Sequence, residues 1–290
     1  MLGYFFFRLA LAFVSIIPLR LLYVISDGIY FILRYIFAYR KKVIETNLRN
    51  AFPDYSDEKI AQLIKDVYRN LTDILVESVK GITMSVDEVN KRFKYVNPEL
   101  PNAYFDKGQS VVFVAAHYTN WEWGLKLGSQ VKHLVIGIYG VITNKYINDY
   151  MLKARQIDNF VLAPPRETFK TIDKYKHHPA GWLLIADQNP SNVKAAHWID
   201  LFGIDTACHH GPDTIARSNN FPVIFIEFKR IRRGYYEATF SLIHEKPQEL
   251  KPGELTELYM KKVESMVRAN PGDWLWSHKR WKHKRNLKSK

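Results

Sequence analysis

His117 and Glu122 are the two residues of this chain whose types and spacing are best suited to chemistry. Both lie in the segment VVFVAAHYTNWEWG, residues 111–124. A helix advances about 100° per residue, so positions five apart do not share a face. His117 must therefore lie in a turn that precedes a helix carrying Glu122. There the carboxylate would fix the tautomer of the imidazole and leave the other ring nitrogen as a general base. The nucleophile would be a hydroxyl group of the substrate.

A buried strand is predicted directly before His117, because residues 111–116 are β-branched, aromatic or small apolar residues. Similar short runs follow at 134–139, 161–163, 182–186, 223–228 and 236–243, with helical patterns at 144–157 and 168–175. Strands that alternate with helices indicate an α/β sheet. His117 would then lie at the carboxyl end of a central strand, where the ligands of such sheets bind.

A histidine at the end of a strand can also be a structural residue paired with a neighbouring carboxylate. The full string HYTNWE favours a catalytic role. It resembles the HxxNWE block, a form of the H-x4-D/E signature, of the lipid A biosynthesis (lauroyl and myristoyl) acyltransferases within the lysophospholipid acyltransferase superfamily. The entry segment RKKVIETNLRNAFPDYSDEKI and the closing segment WLWSHKRWK resemble the same family, so the resemblance extends from about residue 40 to residue 284.

The resemblance implies a mixed central sheet flanked by helices, of the glycerol-3-phosphate acyltransferase type. It also implies transfer of a fatty acyl chain from acyl carrier protein to a hydroxyl of a lipid A precursor, with His117 and Glu122 as the catalytic pair. We expect no metal and no cofactor. The alternatives are a different lipid acceptor, such as a lysophospholipid or an aminolipid, and a non-catalytic protein that binds membrane surfaces.

Four further residues are predicted to bind substrate. Asn120 lies in the HYTNWE string, and Asp187 and Gln188 follow the apolar run GWLLIA, at the strand end where site residues of an open sheet are expected. Arg166 occupies the place of the family's second block and would contact an anionic part of the acceptor or the reaction centre; the alignment can also slip to Arg155. A solvated loop arginine is the alternative for Arg166.

Cys208, His209 and His210 are three potential metal ligands in a row. Adjacent residues lack ligand spacing, and no C-x2-C pair accompanies them, so a metal site is disfavoured. Gly211 and Pro212 predict the N-terminus of a helix, which can bind a phosphate.

Residues 1–39 are the most apolar part of the chain, interrupted by Arg8, Pro18, Arg20, Asp27 and Arg34. No uncharged run reaches the roughly 20 residues of a spanning helix. The many aromatic residues favour a hydrophobic membrane anchor, either spanning or interfacial, over a pair of core helices kinked at Pro18. We therefore predict an anchor at 1–39, an acyltransferase domain at 40–284 and a basic tail at 285–290.

The net charge is +13, and seven basic residues without an acid lie from Lys279 onward, which leaves +6 for the rest. A basic body attracts anionic phospholipids and an acidic carrier protein. The basic and aromatic C-terminal segment can lie at a bilayer surface, and in the absence of a recognised motif we expect no nucleic acid partner. The single cysteine indicates a reducing compartment. With the basic cluster at residues 40–42, these features predict the cytoplasmic face of a membrane, and the resemblance implies that this is a bacterial inner membrane.

Overall fold

The structure, a computed structural model, describes residues 2–155 and 159–285. The end of the predicted helix at 144–157 and residues 286–290 of the predicted basic tail lie outside the described residues. The chain folds as a seven-stranded sheet flanked by helices, with a separate two-stranded hairpin. The predicted mixed α/β architecture is therefore confirmed.

The α-helices of the described residues, in chain order, are α1 (Leu2–Ile16), α2 (Leu19–Phe31), α3 (Lys41–Ala51), α4 (Asp57–Gly81), α5 (Val86–Asn90), α6 (Glu99–Phe105), α7 (Trp121–Gly124), α8 (Lys145–Arg155), α9 (Thr168–Tyr175), α10 (Gly211–Asn219) and α11 (Glu254–Ala269). The longest, α4, is capped at its N-terminus by the Ser56 hydroxyl, which accepts a hydrogen bond from the Lys59 backbone amide. Its buried apolar stripe packs in the main core.

The strands are β1 (Phe93–Tyr95), β2 (Val111–Ala115), β3 (Leu134–Ile138), β4 (Phe160–Ala163), β5 (Ala180–Ile185), β6 (His197–Leu201), β7 (Ile204–Cys208), β8 (Val223–Arg232) and β9 (Tyr235–His244). The large sheet has the order β1-β9-β8-β2-β5-β3-β4. Neighbouring strands of this sheet are parallel, except β8 and β9, which form an antiparallel hairpin. β6 and β7 form the separate antiparallel pair.

The register of β2 and β5 determines where chemistry can occur. Ala115 is paired with Ile185 in this parallel ladder. His117 and Asp187 each lie two residues beyond those partners, so both emerge level with one another at the same edge of the sheet. β2 is buried at all five positions, as the continuous apolar run predicts.

The N-terminal region forms α1 and α2, separated at Pro18 and followed by a π-helical turn at Ile32–Ile36. One side of this pair contacts the body of the protein through Leu11, Leu19, Leu22 and Ser26, which are all buried. Large apolar side chains on the other side remain exposed, among them Phe5, Phe6, Leu9, Phe13, Leu21, Val24, Phe31 and Phe37. Within the described residues no single helix is long and apolar enough to cross a membrane, although the bent pair Leu19–Ile36 and Lys41–Ala51 passes such a test by length and composition.

Candidate active site

His117 is held against Asp187 at the carboxyl edge of the sheet. The ring Nδ1 lies 2.6 Å from Asp187 Oδ1, and the His117 backbone amide donates to Asp187 Oδ2 at 3.0 Å. The His117 side chain is 20% exposed, whereas the Asp187 side chain is only 2% exposed. The pair therefore joins a buried carboxylate to a ring that reaches solvent.

The protonation of this pair follows from the surroundings of Asp187. Burial alone would raise the pKa of Asp187, but the charge of the His117 ring and the hydrogen bonds from His117 and Trp274 outweigh burial and lower it. An ionised carboxylate only accepts hydrogen bonds. The proton of the neutral imidazole must then be on Nδ1, which leaves the lone pair on Nε2.

The predicted contact of Glu122 with the His117 ring is wrong, because Asp187 occupies that position. Glu122 lies in the first turn of α7, and both of its carboxylate oxygens accept from a single guanidinium nitrogen, Nη2 of Arg155 on α8, at 2.8 and 3.0 Å. The predicted turn between His117 and the helix is present. Asn120 ends that turn as the N-cap of α7.

Asn120 has a structural position, contrary to the prediction that it binds substrate. Its side chain is fully buried. Its Oδ1 accepts a hydrogen bond from the Trp123 backbone amide at 3.0 Å, and its Nδ2 donates to Glu77 Oε2 at 2.7 Å. Both polar atoms are thus used within the protein, and the residue fixes the start of α7.

Glu77, on α4, is a fully buried carboxylate that sequence reasoning missed. Besides Asn120 it accepts hydrogen bonds from the hydroxyls of Tyr23, at 2.7 Å, and Tyr236, at 2.6 Å. Burial raises the pKa of Glu77, and the tyrosine hydrogen bonds offset this only in part. Glu77 thereby links α2, β9 and the turn after β2 in a single buried network.

A cavity of about 760 Å³ opens beside the His117 ring. Glu122 and Arg155 lie on its wall, as do Gln188 and the start of α10 at Gly211 and Pro212. Most of the remaining wall is apolar and comes from Trp121, Leu125, Gly137, Ile138, Tyr139, Leu162, Phe169, Leu183, Leu184, Ile185, Ala186 and Ile215. A long apolar wall with a few convergent polar groups is suited to an amphiphilic ligand.

The other predicted binding residues have different positions relative to this cavity. Gln188 lines it and is half-buried. Arg166 lies in a short 3-10 turn, Pro165–Glu167, where its side chain is exposed and does not line the cavity. Arg155, the alternative to which the alignment can slip, does line it.

The three adjacent residues at 208–210 have separate contacts. Cys208 is buried and lies 2.9 Å from a guanidinium nitrogen of Arg280. His209 lines the cavity, and burial lowers its pKa. His210 Nε2 lies 3.3 Å from Asp213 on the first turn of α10, which begins at Gly211 as predicted.

The C-terminal segment 273–281, called here the C-terminal clamp, is internal, so its predicted position at a bilayer surface is wrong. Trp274 and Trp276 are 4% and 1% exposed and pack edge to face with ring centroids 4.7 Å apart. The Trp274 indole nitrogen donates to Asp187 Oδ2 at 2.8 Å. The buried Arg280 donates to Asn189 Oδ1 and to the Ala207 carbonyl. Alternating aromatic and basic residues are typical of an interface, but here each ring and the Arg280 cation meet partners inside the protein.

A comparison of the chain with known protein families gives one match. Residues 1–283 match the family described as bacterial lipid A biosynthesis acyltransferases. No curated protein sequence matches the chain significantly. Among solved structures, the chain is similar to the 1-acyl-sn-glycerophosphate acyltransferase of Thermotoga maritima, at 12% identity with a TM-score of 0.39, covering 89% of this chain and 99% of that one.

The site joins a histidine to a buried carboxylate at the edge of an α/β sheet. The family match spans nearly the whole chain, and the chain belongs to the bacterial lipid A biosynthesis acyltransferase family. It is an O-acyltransferase, and membership implies an acyl donor and a lipid acceptor.

Proposed function

We propose that this enzyme transfers a fatty acyl chain from an acyl carrier protein thioester to a hydroxyl of a lipid A precursor, with His117 as general base. The observation that carries the proposal is the His117–Asp187 pair at the wall of a large, mainly apolar cavity. Family membership supports the lipid A acceptor, and the basic body of the chain supports an acidic carrier protein as donor.

The reaction needs no protein nucleophile. Nε2 of His117 takes the proton of the acceptor hydroxyl while the oxygen attacks the thioester carbonyl carbon. The tetrahedral intermediate then collapses with cleavage of the carbon–sulfur bond. The proton passes from the imidazolium to the departing thiolate, which leaves an ester and a free thiol. Asp187 stabilises the imidazolium that forms between these steps.

Arg155 and Gln188 are the candidates for binding the polar parts of the substrates. Arg155 presents a planar guanidinium held by Glu122, and such a group suits a phosphate or a developing oxyanion. In this proposal Glu122 acts by holding Arg155. Arg166, outside the cavity, would contact the headgroup of the acceptor beyond the cavity mouth.

The N-terminal helices are proposed to bind the cytoplasmic face of the inner membrane. The exposed apolar residues of α1 and α2 would enter the interface, and the exposed cations Arg8, Arg20, Lys41 and Lys42 would face anionic headgroups. Replacing Phe5, Phe6 and Phe13 by serine should reduce co-sedimentation with vesicles that contain phosphatidylglycerol. The same replacement at Val96, an exposed apolar residue elsewhere, should leave it unchanged.

Mass spectrometry of lipids from cells tests the reaction. Cells that lack the protein should lose one acyl chain from lipid A, and the wild-type gene but not His117→Ala should restore it. Unchanged lipid A together with loss of a minor lipid would move the proposal to another acceptor, such as a lysophospholipid or an aminolipid. If cells without the protein and cells that carry His117→Ala both kept the wild-type lipids, catalysis by His117 would be contradicted.

A further inference from the structure

Trp274 contacts the carboxylate oxygen of Asp187 that does not contact the His117 ring. Its indole N–H donates to Asp187 Oδ2 at 2.8 Å, and the His117 backbone amide donates to the same oxygen at 3.0 Å. The two donors fix the rotation of the carboxylate so that Oδ1 is presented to His117 Nδ1, at 2.6 Å. We propose that Trp274 is a positioning residue that sets the orientation and basicity of the catalytic pair.

The C-terminal clamp also contacts the other member of the pair through the backbone. The Thr119 amide donates to the Asp273 carbonyl at 2.9 Å, and the Leu275 amide donates to the His117 carbonyl at 3.2 Å. These bonds form an isolated antiparallel bridge between Tyr118 and Trp274. One short segment thus holds the His117 backbone on one side and the Asp187 carboxylate on the other.

The C-terminal clamp is itself anchored by side chains from α3, α4 and the residue before α3. Asn47 Nδ2 donates to the carbonyls of Trp276 and His278, at 2.8 and 2.7 Å. Asn70 Nδ2 donates to the Asp273 carbonyl at 3.0 Å, and Arg40 donates to the Ser277 carbonyl at 2.9 Å. Asn47 and Asn70 are buried, and hydrogen bonds from buried side chains rigidify a segment, because breaking one leaves an unsatisfied group.

Trp274 does not line the substrate cavity and is 4% exposed. Its effect must therefore pass through Asp187. A carboxylate that loses a donor becomes more basic and attracts the imidazolium more strongly. The other titratable groups that face Asp187 are His117, Cys208, His209, Tyr259 and His278, with Arg280 nearby across a small cavity.

The experiment compares Trp274→Phe with Trp276→Phe in the full-length enzyme, assayed with lauroyl-acyl carrier protein and a lipid A precursor. Both indoles are buried in the same segment, but the Trp276 N–H donates to the Pro271 carbonyl. We expect Trp274→Phe to lower kcat about tenfold with little change in KM, since one hydrogen bond to a charged group is lost. We also expect the acidic limb of the kcat/KM profile to move to higher pH by about half a unit.

Trp276→Phe is the control. It should leave the acidic limb of the kcat/KM profile at its wild-type pH, even if it lowers the amount of folded enzyme. Benzothienylalanine at position 274 provides a second variant, because its ring has the shape of indole but lacks the N–H donor. It should reproduce the shift. An unmoved limb in both Trp274 variants, or an equal shift in Trp276→Phe, would overturn the proposal.

This inference rests on the proposed role of His117 as base, but the two can fail separately. If His117→Ala abolishes transfer while the Trp274 variants keep the wild-type kcat and profile, only the positioning role is wrong. If His117→Ala retains transfer, the proposed function fails first, and the role of Trp274 fails with it.

Discussion

Asp187 and Glu77 are both buried carboxylates with three hydrogen-bond donors. Asp187 contacts His117 at the start of the turn after β2, and Glu77 contacts Asn120 at its end. Asp187 faces an imidazole, which can become a cation, and its pKa is lowered despite burial. Glu77 faces tyrosine hydroxyls and an amide, and burial raises its pKa. Equal numbers of donors therefore do not give equal acidity, because the charge of the partner determines the direction in which the pKa shifts.

The two carboxylates consequently contribute to stability with opposite pH dependence. Asp187 stabilises the fold above its ordinary pKa of 3.8, and this contribution is lost as the pH falls through the lowered pKa. For Glu77, the folded state binds more protons than the unfolded state above pH 4.5, so its contribution decreases as the pH rises toward the raised pKa. Of the two carboxylates, Asp187 is the one that stays charged, and it does so beside the His117 ring.

The largest expected effect is that of Asp187→Asn. The amide cannot stabilise an imidazolium, and it favours the wrong tautomer of His117, so kcat should fall by about 10³-fold or more. Steady-state assays with saturating acceptor measure the loss, and binding of the acyl donor should persist. Activity within tenfold of wild type would break the assignment of Asp187 to the catalytic pair.

The second effect concerns a third carboxylate, Glu122, which is 27% exposed and paired with a cation. Glu122→Gln removes the charge that holds Arg155, and we expect about a tenfold loss of kcat/KM, mainly through KM. Arg155→Lys should lose a similar factor, because an ammonium that pairs with Glu122 leaves no planar guanidinium to bind the substrate. A loss in kcat as large as that of Asp187→Asn would instead restore Glu122 to the catalytic pair.

A smaller effect on turnover is expected from Glu77→Gln. The glutamine oxygen can accept from Asn120 and Tyr236 while its amide donates to the Tyr23 hydroxyl, so the turn keeps its shape and kcat should change less than about threefold. The diagnostic change is in stability. The decrease in unfolding free energy of the wild type above pH 4.5 should become flatter, as measured by urea denaturation in detergent between pH 5 and 8. An unchanged pH dependence would contradict the raised pKa of Glu77.

Local patterns were sufficient to predict much of the fold. The apolar runs became strands within a few residues of the predicted bounds, and the helical pattern at 168–175 became α9. His117, Asp187 and Gln188 were expected at strand ends because parallel strands expose their carboxyl ends at one edge of the sheet. That Asp187 rather than Glu122 contacts the ring depends on β2 and β5 being neighbours in register, and strand order is not encoded in local periodicity.

The residues that sequence reasoning missed share one property, which is that their partners are distant in sequence. Glu77 meets Asn120 across 43 positions, and Trp274 meets Asp187 across 87. Glu77 falls within a regular helical pattern, and nothing in that pattern marks it as part of the site. Trp274 carried a signal, the closing motif, but the alternation of rings and cations indicated a membrane surface as readily as a buried contact.

The smallest effect is expected at Arg166. Both Arg155 and Arg166 are arginines near the cavity, but only Arg155 lines it and has an ion-pair partner there. An exposed cation contributes little to binding when its charge is screened by solvent. Arg166→Ala should therefore change kcat/KM less than twofold, while Arg155→Ala lowers it by about tenfold or more. Equal losses in the two variants, measured with the same acyl donor and acceptor, would show that Arg166 binds the substrate as strongly as Arg155 and that the ion pair with Glu122 does not mark the binding arginine.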